Sequence, residues 1–137
     1  MLKKPASVAV VIPCYNELPR LHDTVARLMA QSHPPAEIII VDDGSDEAEH
    51  FRFPDAPPVR VVRQSNAGAA AARFRGVTVS TADIVMFNDT GDVPEPDRIA
   101  LHVEALERFP DCGVSFAETH SPHRALGAPF LRGPAGH

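Results

Sequence analysis

Apolar residues along this chain fall into short, nearly unbroken runs separated by longer stretches of mixed character. Val8-Ala9-Val10-Val11-Ile12, Ile38-Ile39-Ile40-Val41 and Ile84-Val85-Met86-Phe87 show no apolar–polar alternation. Such runs predict strands buried on both faces, as in a parallel sheet. The pattern predicts strands over 8–12, 37–41, 59–62, 83–87 and 113–117, with Pro13 stopping the first. Between them lie segments of helical period. A helix over 19–31 places Leu21, Val25, Leu28 and Met29 on one face. An alanine-rich helix is predicted over 67–80, with Asn66 as a candidate N-cap. Pro96 and Asp97 suit the start of a helix running to 109, with Ile99, Val103 and Leu106 inward. A short helix is also expected within 46–53. Strand and helix alternate, which predicts an α/β fold with a doubly wound, mostly parallel sheet. Residues 1–117 form the expected domain, and the proline- and glycine-rich stretch 118–137 reads as an irregular tail.

Size and charge narrow the function classes. A chain of 137 residues suits one domain with a real core. The net charge of -5 leaves no basic stripe for phosphate backbones, so nucleic-acid binding is not expected. No apolar run reaches the roughly 18 residues that span a bilayer. The short apolar stretch after Lys3 and Lys4 is broken by Pro13 and does not suit a signal peptide. Cys14 and Cys112 fit no metal-ligand spacing, so a reduced, cytoplasmic chain is the simpler expectation. Cys14 reads as a packing thiol at a strand end, with a nucleophile as the alternative, and His120 and His123 as solvated loop residues, with metal ligands as the alternative. No G-x-G-x-x-G follows the first strand and no G-x-x-x-x-G-K-[ST] is present, so the common dinucleotide and P-loop cradles are absent.

The candidate chemistry sits where the strands end. In open α/β sheets ligands bind outside the carboxyl ends of the strands. Three such ends here carry Pro13-Cys14-Tyr15-Asn16-Glu17, Asp42-Asp43-Gly44-Ser45 and Asn88-Asp89-Thr90-Gly91-Asp92. Tyr15 is the sole tyrosine, and its ring suits either stacking on a nucleobase or packing on the core. Asp42 and Asp43 suit a turn, or a carboxylate that accepts from a base N–H while its neighbour orients the loop. Arg73 is an exposed helix residue or a fork-shaped donor to phosphate. Asp89 and Asp92 are a polar turn, or a carboxylate pair whose repulsion Mg²⁺ or Mn²⁺ would offset.

Taken in order, these segments, with Asn66-Ala67-Gly68-Ala69-Ala70-Ala71-Ala72-Arg73 and residues 83–98, resemble the nucleotide-binding half of family 2 glycosyltransferases of the GT-A fold. The likeness covers about residues 6–117. It implies transfer of a sugar from a nucleotide-diphosphate donor, with Mg²⁺ or Mn²⁺ on the diphosphate. Pro13, Tyr15 and Glu17 match first-loop positions around base and ribose, and Asp43 matches the acid that reads the base. Arg73 matches an arginine beside the donor, and Asp89 matches the first acid of the D-x-D motif, facing ribose and phosphates. In the family pattern Asp-x-Asp-Asp-x-x-x-Pro the third position is the usual metal ligand. Counting back from Pro96, that position is Gly91, and Asp92 is the nearest acid to stand in for it. The resemblance also implies an acceptor half carrying the catalytic base; no residue up to His137 matches it, Glu118 being the nearest acid after the fifth strand.

Two other readings stand beside the glycosyltransferase. A non-catalytic nucleotide-sugar-binding or assembly module would keep the donor site without turnover. A lobe lacking its second half exposes apolar surface, which favours a homo-oligomer or a partner chain. A nucleotidyltransferase also uses strand-end acids, but residues 13–17 are not the glycine-rich, basic first loop that class shows.

Overall fold

Val8–Cys14 (β1) is the centre of the fold because every one of its seven residues is buried. A computed structural model describes residues 4–46 and 53–115. Glu37–Asp42 (β2), Val59–Arg63 (β3) and Ile84–Phe87 (β4) complete a four-stranded sheet in the order β3-β2-β1-β4. All three pairings are parallel, with Val10 beside both Ile38 and Met86. The helices are Leu21–Met29 (α1), entered through a 3-10 turn Leu18–Arg20, Ala69–Val79 (α2) and Arg98–Arg108 (α3). Among the described residues no helix is long and apolar enough to cross a membrane.

Alternating side chains of the sheet supply two cores. Val8, Val10, Ile12, Ile38 and Ile40 pack with Leu21, Val25 and Leu28 of α1 and with Ile99 and Val103 of α3. Ala9, Val11, Ile39 and Val41 face the other way, onto Ala72 of α2. Helices on both faces of a parallel sheet make the doubly wound arrangement expected from the sequence. From β1 the chain winds outward to β3, then returns to lay β4 on the opposite side of β1. The carboxyl ends of β1 and β4 therefore flank the point where strand order reverses, which is where such sheets open a crevice.

Several boundaries differ from expectation for identifiable reasons. Pro13 does not stop β1; the strand runs through it to Cys14. The carbonyls of Val8 and Cys14 accept from Ala36 and Asp43 on the β2 side, while those of Ser7 and Val11 accept from Ile84 and Asn88 on the β4 side. By that alternation Pro13 faces the β4 side beyond the last paired residue, where its missing N–H removes no ladder bond. Met29 is 50% exposed rather than inward, and Thr24 takes the buried place beside Val25. Leu106 is only half-buried. Asn66 does not cap α2, whose N-cap is Gly68. Residues 113–115 are not in a strand, and the rest of the expected fifth strand lies outside the described residues. So do most of the short helix within 46–53, His120, His123 and the 118–137 stretch.

Candidate functional site

The loops after β1, β2 and β4 meet. Pro13, Cys14, Tyr15 and Glu17, then Asp43, then Asp89 and Thr90 line one cleft of about 310 Å³, closed on its remaining side by Ala69, Ala72 and Arg73 of α2. Six of the expected site residues, Pro13, Tyr15, Glu17, Asp43, Arg73 and Asp89, thus share a single hollow. Asp92 follows in the same loop. A slightly larger hollow of about 350 Å³, lined by Lys4, His33, Val103, Glu104 and Glu107 among others, lies by the segments that precede β1 and β2. That is the amino end of the sheet, away from the crevice where open α/β folds place ligands.

The first two loops hold one another. Asn16 adopts φ 55°, a left-handed conformation that asparagine tolerates better than most residues. Its N–H donates to Ser45 Oγ at 3.0 Å and its Oδ1 accepts from Asp46 N–H at 2.9 Å. Asp42 Oδ1 accepts from Ser45 N–H at 2.9 Å, closing the turn that follows β2. These bonds leave Tyr15 standing out from the sheet, 46% exposed.

Asp43 joins the second loop to the start of α2. Its Oδ1 accepts from Gln64 Nε2 at 2.9 Å and from Ala67 N–H at 2.8 Å, and its Oδ2 accepts from Gly68 N–H at 2.9 Å. Asn66 Nδ2 donates to the Asp43 carbonyl at 3.1 Å. Asp43 therefore serves the helix entry that Asn66 was expected to cap. Burial pushes the Asp43 pKa up, but the bonds from Gln64, Ala67 and Gly68 together outweigh it and hold the pKa below its ordinary value. A carboxylate offers about four acceptor sites. Three bonds leave one, on Oδ2, for a further donor.

The third loop is anchored from below. Asn88, 1% exposed, accepts from Arg98 Nη1 at 2.8 Å and donates through Nδ2 to the Asp89 carbonyl at 2.9 Å. Gln31, at the end of α1, accepts from Ile99 N–H at 3.1 Å and donates to the Glu95 carbonyl at 2.7 Å. Asp89 itself reaches Arg73, whose Nη2 lies 2.8 Å from Oδ1. Asn16, Gln64, Asn88 and Arg98 were not singled out as site residues. Asn16 and Gln64 work through residues more than 20 positions away, and Asn88 and Arg98 through one another, and no local pattern marks that.

The third loop matches the family's metal site poorly: the carboxylate expected at residue 91 is absent, and only Asp89 and the exposed Asp92 offer oxygens there. One Asp89 oxygen is already paired with a guanidinium, and Gly91 brings no ligand. Among the described residues no three His, Cys, Asp or Glu side chains converge as a metal site.

Comparison with known proteins bears on the family and the fold. The family model described as glycosyl transferase family 2 matches residues 9–125. An uncharacterized glycosyltransferase, YibD, of Escherichia coli is 35% identical over 100 residues, covering 70% of this chain and 29% of that protein. The putative teichuronic acid biosynthesis glycosyltransferase TuaG of Bacillus subtilis is 34% identical over 115 residues, covering 80% of this chain and 45% of its own length. This chain thus spans less than half of either relative. Among solved structures, glucosyl-3-phosphoglycerate synthase from Mycobacterium tuberculosis, in complex with Mn²⁺, uridine diphosphate and glucosyl-3-phosphoglycerate, is 25% identical with a TM-score of 0.58, over 74% of this chain and 39% of that one. S. aureus TarS bound to uridine diphosphate shares the fold at a TM-score of 0.61 and 20% identity, over 74% of this chain and 32% of that one. With the match extending over most of its length, the chain belongs to glycosyl transferase family 2.

Proposed function

We propose that the cleft binds a nucleotide-diphosphate sugar and that the protein transfers the sugar to an acceptor hydroxyl. The observation that carries this reading is the convergence of Tyr15, Asp43, Arg73 and Asp89 on one hollow at the reversal point of the sheet. A volume of about 310 Å³ is at the small end for ligand sites and suits the nucleoside part of such a donor. In this reading Tyr15 stacks on the base beside Pro13, and Glu17 faces the ribose. Asp43 accepts a base N–H with its remaining Oδ2 lone pair. Arg73 turns from Asp89 to the phosphates, and Asp89 then faces the ribose and diphosphate.

The chemistry is a substitution at the anomeric carbon. The acceptor oxygen forms its bond to that carbon while the bond to the diphosphate oxygen breaks, and the electron pair leaves with the nucleoside diphosphate. Positive groups aimed at the phosphates stabilise the charge as it develops. A general base takes the acceptor's proton. A non-catalytic nucleotide-sugar-binding module would use the same cleft and differ only in releasing no sugar.

Calorimetry with uridine and guanosine diphosphates tests the donor site. Saturable binding of one of them, weakened by Tyr15→Ala, is the expected result. No binding of either would overturn the proposal. Release of sugar from a bound donor separates the enzyme from the binding module.

A further inference from the structure

We propose that Arg20, together with Arg73, supplies the positive charge that the donor's diphosphate would otherwise draw from a protein-held metal ion. This rests on the nucleotide-sugar reading above. The starting point is the turn Asp89-Thr90-Gly91-Asp92. The Asp89 carbonyl accepts from Asp92 N–H at 3.1 Å, and Gly91 has φ +87°. That is the third-residue conformation of a type II turn, which favours glycine. The residue that the family pattern makes a metal-binding acid is thus committed here to a backbone role.

The space a side chain at residue 91 would enter is not empty. A Cβ built there would stand 3.2 Å from Arg20 Nη1 and 3.6 Å from Arg20 Cδ, with no other atom within 4 Å. A cation stands where the family pattern places a carboxylate. The approach is held by the Thr24 hydroxyl: the Arg20 carbonyl accepts from Thr24 Oγ1 at 3.1 Å, and Thr24 Oγ1 accepts from Gly91 N–H at 3.3 Å. Thr24 is 2% exposed, so the start of α1 is fastened to the turn. Gly91 follows directly on Asp89 and Thr90, which line the cleft.

The Arg20 side chain is exposed and makes no hydrogen bond or ion pair among the described residues. Its charge is therefore available to an anion beside the turn at Gly91. Arg73 lies across the same loop, on Asp89 Oδ1 at 2.8 Å. Each guanidinium is a forked N–H donor that matches the oxygens of a diphosphate.

The test is calorimetry of the 137-residue chain with uridine and guanosine diphosphates, in EDTA and in Mn²⁺. Dissociation constants in the two buffers should agree within about threefold, whereas a metal-bridged diphosphate would lose far more in EDTA. Arg20→Gln should weaken binding by about tenfold or more in both buffers, the loss expected for a charge-assisted contact. Arg20→Lys should recover part of that loss, and thermal melts should show both variants folded. Binding that requires Mn²⁺, or an Arg20→Gln chain that binds like the parent, would overturn this inference and leave the donor site standing. No binding of either nucleotide in either buffer would overturn both.

Discussion

Asp43 shows how one side chain serves fold and site together. Its carboxylate accepts from Gln64, Ala67 and Gly68 and is 4% exposed. Asp43→Ala would leave a side-chain amide and two backbone N–H groups near the start of α2 without their acceptor. An unsatisfied buried polar group costs about 1–3 kcal/mol, so urea unfolding should show a loss of at least that size. Asp43→Asn keeps one acceptor oxygen and should lose less. An Asp43→Ala chain as stable as the parent would show that water replaces these bonds without cost. Tyr15 is the opposite case, because nothing in the fold requires its exposed ring. Tyr15→Ala should leave the melting temperature unchanged and weaken nucleoside diphosphate binding by about 1–3 kcal/mol, the usual worth of a stacked base. Tyr15→Phe should bind like the parent, since stacking needs the ring and not the hydroxyl.

Helix α2 carries Arg73 to the cleft, and its distance from the sheet is set by Gly76. That residue is buried, and a Cβ there would collide with both γ-methyl groups of Val11. Gly76→Ala gains about 1 kcal/mol of helix propensity but forces helix and strand apart. Overpacking of this kind costs about 1–3 kcal/mol, so a net destabilisation of up to about 2 kcal/mol should appear in urea unfolding. Donor binding should weaken with it, because Arg73 moves with the helix. Stabilisation by this substitution would show that the Val11 contact yields easily. The strands of this layer were legible in the sequence because an unbroken apolar run has one cheap explanation, burial on both faces. Residues 8–12 and 38–41 lead to β1 and β2 on that ground alone. The convergence of Tyr15, Asp43 and Asp89 follows from parallel strand order, which puts all three loops at one edge, whereas the place of Arg73, inside α2, rests on the family resemblance. Other features were hidden because they depend on contacts between distant segments. Pro13 reads locally as a stop, and only the place where β4 ends makes it harmless. Asn66 reads locally as a cap, yet the acceptor at that helix start comes from Asp43, across the sheet edge. Arg20 carries no signal at all until the turn at Gly91 is folded against it.

Acid should loosen the whole molecule in two stages, because three groups bind protons less readily when folded than when unfolded. His102 comes first. Burial, and then the positive charge of Arg98, hold its pKa below the ordinary 6.5, so the folded state favours the neutral ring. The unfolded chain takes up the proton sooner, and stability falls as the pH drops through and below about 6.5. Asp43 and Asp83 act at lower pH. For Asp83 the bonds from Ser7 N–H and Ser7 Oγ lead, with a smaller favourable contribution from Lys4, and its pKa lies below the ordinary 3.8. Asp43 is lowered by its three donors despite burial. The stability that these carboxylates contribute is complete well above pH 3.8 and is lost as the pH falls through their folded values. Among the described residues all three groups therefore act with the same sign. Melting temperatures measured from pH 7.5 downward should decline gently below about pH 6.5 and steeply below about pH 4. His102→Gln should flatten the upper stage and leave the lower one. Asp83→Asn should shrink the lower stage, while its remaining oxygen can still accept from Ser7, ahead of β1. A melting temperature that rises between pH 7 and pH 5 would contradict the assignment of His102, whereas a flat profile below pH 4 would contradict that of both carboxylates.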